Sequence, residues 1–436
     1  MKARNPVLPL DCYCPDGEPH WIADELFVYP SWDLHPKSYC SDKLYVAHSR
    51  DLEEWHVDGP AFSSSKLDWE MAPSYPPGLA EASSYAELPS YLKDYLPKFF
   101  GRIVPFRWFK NYLMWIMKKL QSKDPAKRLL YAPDSLTVGD KSYLFFCTSD
   151  DFEGVAVADD PAGPFTKPVM ITGDRSGEPI RGIDPAVFRD DDGKVYLYWG
   201  QINSFGAELT EDLTKIREDT LVSGLLTEKE HGFHEGSSMR KIGDTYYYIF
   251  ADTHRGKPTA LGYATSRHPL GPFTYQGVII DNEGCDPESW NNHGSIECVN
   301  GQWYVFYHRS TGSSRYLRRM CAEPITIDEN GLIPEVRPSS TGMGEPYRID
   351  EPLYGYQACR LSGNAWIDGD RLIVKKGRAE VVYRYLDPSA RGFDSVSYEG
   401  TGTASVEHRV DASGELTLFV ETKQTIEITC FHLQQT

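Results

Sequence analysis

Short runs of alternating apolar and polar positions recur along the chain. Five of them share one grammar, a turn dipeptide followed by alternating aromatic and aliphatic residues: "ADELFVYPS" (23–31), "GDKSYLFFCTS" (139–149), "DGKVYLYWG" (192–200), "GDTYYYIFAD" (243–252) and "NGQWYVFYHR" (300–309). Period-two alternation after an Asp-Gly, Gly-Asp or Asn-Gly turn reads as the second arm of a β-hairpin. Counted from Asp24, Asp140, Asp192, Asp244 and Gly301, the spacings are 116, 52, 52 and 57 residues. Three near-equal intervals of that size mean repeated four-stranded sheets, the signature of propeller blades.

A second element repeats in register with the first. "GVAVADDPAGPF" (154–165) matches "GYATSRHPLGPF" (262–273), with "LYVAHSRDLEEW" (44–55) as a looser copy, and these read as third strands with their outer turns. The expectation is an all-β chain whose residues 1–345 form a five-bladed propeller. The double-length first interval requires an insertion, placed at about residues 60–130 in the first blade region. It contains "LPSYLKDYLPKFFGRIVPFRWFKNYLMWIMKKLQSKDPAKR", which has helical spacing and basic ends. Lys98, Arg102, Arg107 and Lys110 interrupt it too often for a membrane span. After residue 350 the blade grammar gives way to short alternating strands such as "GELTLFVET" and "TIEITCFHL", read as a small β-sandwich over 350–436, with a carbohydrate-binding character.

Composition narrows the partners. A formal charge of −18 disfavours nucleic acid and anionic membrane surfaces. Twenty-seven tyrosines and ten tryptophans suit strands and surfaces that stack sugars. Nine scattered cysteines make neither a disulfide framework nor a zinc knuckle. The opening "MKARNPVLPL" has no apolar signal region, so the expected location is the cytoplasm.

Carboxylates supply the candidate chemistry. Asp16 lies in the stiff loop Pro15-Asp16-Gly17-Glu18-Pro19, eight residues before Asp24. Asp184, also followed by proline, stands eight before Asp192, and Glu235 stands nine before Asp244. A propeller brings the starts of its innermost strands to one mouth, so three acids in one phase should converge there. One such acid is most often a loop cap; three in phase point to a site. Converging carboxylates repel, so at least one keeps its proton near neutral pH, which gives an acid and a base in one pocket. Glycoside hydrolysis uses such a pair.

The ordered motifs "NPVLP" followed by Asp16, "YAPDSL" (131–136), "GIDPAVF" (182–188), "HEGSSMRKIGDTYYYIF" (234–250) and "NHGSIE" (292–297) with "FYHR" after it make residues 5–345 resemble glycoside hydrolase family 43. That resemblance implies a five-bladed propeller that hydrolyses glycosides with inversion. It implies Asp16 as general base, Glu235 as general acid and Asp184 as the carboxylate that orients the acid and tunes its pKa. His293 resembles the central histidine, often associated with a calcium ion or water in the pore. Arg318 or Arg319 resembles the arginine that meets substrate and the third carboxylate, with Arg319 preferred. The implied substrates are ends of plant oligosaccharides or polysaccharides, such as xylan or arabinan, bearing α-L-arabinofuranosyl or β-D-xylosyl units. An exo-galactosidase of the same family and a non-catalytic sugar-binding propeller are the alternatives. No organic cofactor is implied, calcium is the one metal to look for, and oligomeric state stays open. The sequence departs from the family pattern in Gly17-Glu18-Pro19 after the base and in Ser237 after Glu235-Gly236.

Around these acids, Glu18, Trp21, Trp32, Asp134 and His234 complete the substrate-binding candidates, with Trp199 and Trp290 as further sugar-stacking positions; the competing reading makes two or more of the four tryptophans blade core and Asp134 a structural turn acid. Glu18 is also a rival base. His231 and His234 sit three apart beside Glu235, but in a pre-strand loop with no third ligand, so zinc catalysis is disfavoured. Asp190-Asp191-Asp192 reads as a solvated hairpin turn.

Overall fold

The computed structural model describes residues 2–70, 79, 82–88, 104–120, 128–311 and 314–435. Each of the five alternating segments is the second strand of a hairpin. The turns at Ala23-Asp24 and Asn300-Gly301 place both residues at positive φ (49° and 62°, 51° and 83°), the geometry whose twist matches its flanking strands.

Blade 1 holds β1 (Glu18–Ile22), β2 (Glu25–Tyr29), β3 (Lys43–Ser49) and β4 (His56–Ser63). Blade 2 holds β5 (Leu130–Val138), β6 (Lys141–Thr148), β7 (Glu153–Ala158) and β8 (Thr166–Met170), and a short β9 (Thr172–Gly173) leads onward. Blade 3 holds β10 (Ala186–Arg189), β11 (Val195–Trp199), β12 (Asn203–Glu208) and β14 (Val222–Thr227), while β13 (Lys215–Ile216) pairs with β9. Blade 4 holds β15 (Phe233–Ile242), β16 (Thr245–Asp252), β17 (Ala260–Ser266) and β18 (Thr274–Asp281). Blade 5 holds β19 (Ser295–Val299), β20 (Gln302–Thr311) and β21 (Ser314–Ile325). The innermost strands close a ring, β1 beside β5 and β19, and β10 beside β5 and β15.

Alternation explains the cores. Phe27, Tyr29, Leu44 and Phe62 of blade 1 interdigitate with Leu144, Phe146, Ala156 and Phe165, all with under a tenth of their surface exposed. Burial of apolar surface, at ~25 cal/mol per Å2, is what holds such blades face to face. Among the described residues blade 5 has no fourth strand of its own. The segment before β1 runs beside β21 instead: the Val7 amide donates to Met320 O at 3.1 Å, and Asn5 exchanges hydrogen bonds with Ala322. Pro6 and Pro9 have no amide to donate, so this clasp is not a regular strand.

The insertion follows β4, between blades 1 and 2. Its described part includes α1 (Phe106–Leu120), where Phe109 packs with Leu79, Ala82 and Leu88. Trp69 stacks on Phe146 of blade 2, and Arg128 pairs with Asp150 at 2.9 Å, both fully buried. Arg107 and Lys110 lie on α1; Lys98 and Arg102 fall outside the described residues. No helix among the described residues is long and apolar enough to cross a membrane.

The C-terminal strands form one connected antiparallel sheet folded over a single core: β22 (Leu353–Tyr354), β23 (Arg360–Asp368), β24 (Arg371–Tyr383), β25 (Ser395–Thr401), β26 (Ala404–Val410), β27 (Leu416–Thr422) and β28 (Ile426–Gln434). The thirteen-residue β24 pairs with β28 through Leu372–Val374 and with β27 through Gly377–Tyr383, so one strand serves both leaves of a sandwich. Buried Arg309 of β20 docks this unit, gripping Asp286 through two 2.9 Å bonds and donating to Ala358 O at 2.6 Å.

Candidate active site

The loops before β1 and β10 and the first residues of β15, which hold His234 and Glu235 in the strand and not in the expected loop, meet at one mouth of the ring. Asp16 and Asp184 share an unusual backbone, φ 58° and 57°, in the left-handed region that Asp tolerates better than most residues. This common strain turns both side chains toward the axis. His293 of the fifth blade stands between them, its Nδ1 3.8 Å from Asp16 Oδ1 and 3.8 Å from Asp184 Oδ2. Asp184 Oδ2 also accepts the Gly236 amide at 3.0 Å, so it holds the backbone immediately after Glu235. Glu235 itself accepts from Gln201 through Oε2 at 2.5 Å and from Asn291 through Oε1 at 3.3 Å. The three acids expected to converge do so.

Their electrostatics diverge. Asp16 is buried, and burial alone would raise its pKa. The Arg318 guanidinium 2.8 Å away, then His308 and His293, overcome this and hold the carboxyl well below the usual range. Among the described residues no guanidinium pairs with Asp184, and burial, then Glu235 and Asp16, outweigh the Gly236 amide and the more distant Arg318 and push it well above that range. The mouth thus contains one fixed anion and one carboxyl that keeps its proton. Burial lowers His293 despite its acidic neighbours. His308 places Nδ1 3.2 Å from Asp16 Oδ1 and Nε2 3.0 Å from Asn291 O.

Arg318, not Arg319, is the arginine of the mouth. Arg318 grips Asp33 through Nε at 2.9 Å and Nη2 at 3.0 Å and leaves Nη1 for Asp16, with the Tyr39 ring 4.6 Å from its Cζ. Alternation along β21 turns Arg319 the other way, where it donates to Leu10 O and Gly369 O beside the Tyr13 ring.

Four other candidates lie outside the mouth. Glu18 is one step down the axis, bound to Arg240 at 2.7 Å and Ser238 at 2.9 Å; burial pushes it up to about 7 despite that guanidinium. It is no rival to Asp16. Asp134 is an internal pin, taking His20 at 2.6 Å and the Ser135 and Val187 amides at 2.6 and 2.7 Å. Trp21 pairs with Leu26 at the hairpin end of β1, away from the mouth. Trp199 is blade core, stacked on Phe205. Trp32, beside Asp33, stacks on Tyr45 at 4.0 Å, and His234 sets Nε2 3.9 Å from Glu235 Oε2 and Nδ1 3.4 Å from Glu228. His231 instead accepts the Thr227 amide.

Sequence reasoning passed over Gln201, Asn291, His308 and Asp33. Two had visible signals: Asn291 directly precedes "NHGSIE", and His308 is the histidine of "FYHR". Asp33 and Gln201 come from the loops that follow β2 and β11, whose course the local sequence does not show. Calcium asks for six to eight oxygen ligands. Around His293 the carboxylates already serve Arg318 and Gly236, and His293 belongs to no cluster of metal-binding donors among the described residues. The residues present do not form a calcium cage, and no step is routed through one.

The profile of glycosyl hydrolases family 43 matches residues 109–333, just over half of the chain. The chain belongs to that family. This family 43 protein is a glycoside hydrolase. It is 29% identical over 405 residues to a xylosidase/arabinosidase of Thermoclostridium stercorarium, across 82% of this chain and 72% of that one. It is 36% identical over 272 residues to an arabinoxylan arabinofuranohydrolase of Bacillus subtilis, across 55% of this chain and 51% of the other. A family 43 β-xylosidase/α-arabinofuranosidase from a compost metagenome, solved with xylotriose, superimposes with a TM-score of 0.55 at 24% identity, over 77% of this chain and 99% of its own.

Proposed function

We propose that this enzyme removes terminal α-L-arabinofuranosyl or β-D-xylosyl units from xylan- or arabinan-derived chains by a single inverting displacement. The observation that carries the reading is the meeting of Asp16 and Asp184 at His293 with the Glu235 backbone clamped on Asp184. Relatives named xylosidase/arabinosidase and arabinofuranohydrolase support the sugar class.

In this mechanism Asp16, kept ionised by Arg318, takes a proton from the attacking water. Glu235, oriented by Gln201 and Asn291, protonates the departing oxygen. Asp184 keeps a proton beside it and fixes the Gly236 turn. No side chain is assigned as a nucleophile.

Glu235→Gln tests the assignment through leaving groups. An acid matters most when the departing oxygen is a sugar alkoxide and least when it leaves as a stabilised phenolate. The variant is expected to lose about 10² to 10⁴-fold on xylo- or arabino-oligosaccharides and far less on a dinitrophenyl glycoside. Equal losses on both would remove Glu235 from that role. Proton NMR of the first-formed sugar, read before mutarotation, is expected to show inversion; net retention would overturn the single displacement.

A further inference from the structure

Two groups of donors among the described residues are tight enough to share a metal ion, and they differ in what already occupies them. Glu18, His20 and Asp134 lie on the propeller axis, but Arg240, Ser238 and two backbone amides satisfy the carboxylates. The second group, far from the glycosidase chemistry, is Glu399, Cys430 and His432 on the C-terminal sandwich.

Register creates this second group. Cys430 and His432 are two apart on β28 and share a face. The regular antiparallel register of β25 against β28 sets Glu399 directly opposite Cys430, and a bulge follows at Thr429 of β28. Phe431 and Leu433 point into the sandwich core, so the three donors point out of it. His432 Nε2 is 3.3 Å from Cys430 Sγ and 2.9 Å from Glu399 Oε1. In a tetrahedral zinc site, arms of 2.0–2.3 Å put ligand atoms about 3.3–3.6 Å apart, a few tenths of an ångström from these separations. No lysine or arginine pairs with any of the three among the described residues. Cys430 is only 3% exposed, while the side chains of His432 and Glu399 are 38% and 67% exposed, which gives an ion a route in and a fourth position open to water.

We propose that Cys430 Sγ, His432 Nε2 and Glu399 Oε1 bind one borderline-soft divalent ion of the zinc or cobalt type, clipping β25 to β28. Thiolate, imidazole and carboxylate together select that class over calcium or magnesium. The clip stabilises the sandwich and takes no part in hydrolysis.

The test uses the full-length chain without a histidine tag, stripped of metal. Cobalt(II) titration is expected to produce a thiolate-to-cobalt charge-transfer band that saturates at one equivalent and disappears on adding zinc(II). Cys430→Ser removes the band, His432→Ala and Glu399→Gln weaken binding at least tenfold, and Cys298→Ser, at the one partly exposed cysteine, leaves it intact. Zinc is expected to raise the melting temperature of the wild type and not of Cys430→Ser, because an ion that binds only the folded state stabilises it. Hydrolase turnover of the stripped protein shows that each variant has folded. A missing band, a band unchanged in Cys430→Ser, or equal zinc stabilisation of both proteins overturns the site.

Discussion

Asp16 and Glu18 stand two residues apart, and each meets a guanidinium at 2.7 to 2.8 Å, yet they have opposite fates. Asp16 precedes its strand, in a left-handed turn at the mouth, and Arg318 leaves one of its oxygens anionic and available. Glu18 opens β1, where Arg240, Ser238 and the surrounding axis close around it. The mouth bears charge for reaction, and the layer below bears charge balanced for stability.

Crossed substitutions should separate the two layers. Asp16→Asn is expected to lower kcat by about 10² to 10⁴-fold and, because folding depresses this carboxyl through Arg318, also to lower the melting temperature at pH 7. Glu18→Gln should keep turnover within a few-fold, and because folding raises this carboxyl to about 7 while Arg240 keeps Glu297 at 3.5 Å, its stability cost at pH 7 should be smaller than that of Asp16→Asn. Matching losses of turnover in both would merge the layers.

Removing the cation should convert one layer toward the other. In Arg318→Met, burial is left to raise Asp16. Because the base must be ionised, the acid limb of kcat/KM moves to higher pH, with a loss of about tenfold or more at pH 5 relative to pH 8. An unmoved limb would mean that another residue titrates there.

Asp184 gives a smaller effect with opposite signs in activity and stability. A carboxyl raised by folding binds its proton more tightly than in the unfolded chain, so it subtracts stability as pH climbs from the unfolded value near 4 toward the folded one. Asp184→Asn removes that cost. The variant should melt about 2 °C or more above wild type at pH 7, with the gap closing near pH 4, while turnover falls. The smallest effect belongs to Arg319→Met, expected to keep kcat/KM within about twofold, since that side chain faces Leu10 and Gly369.

The blades were legible because their signal is local: a turn dipeptide, an alternating strand, a repeat near fifty residues. The phase of Asp16, Asp184 and Glu235 was legible for the same reason. Arg318 and Arg319 were not separable, since adjacent strand residues differ only in which face register gives them, and that depends on the Asp33 contact from blade 1. Glu18 and Asp134 resemble active-site acids in sequence because their partners, Arg240 and His20, come from elsewhere in the fold.

The clasp of residues 5–9 on β21 also has a consequence in time. Asp16 and Arg318 are separated by 302 positions, and the strand that receives the clasp belongs to the last blade. A nascent chain can complete blades 2, 3 and 4 from near neighbours, yet its base stays without its guanidinium until translation has passed β21. Closing so long a loop costs only slowly growing entropy, but the search is slow, and folding rates fall as such distant contacts dominate. Competence for hydrolysis therefore arrives last, in the same event that shuts the ring.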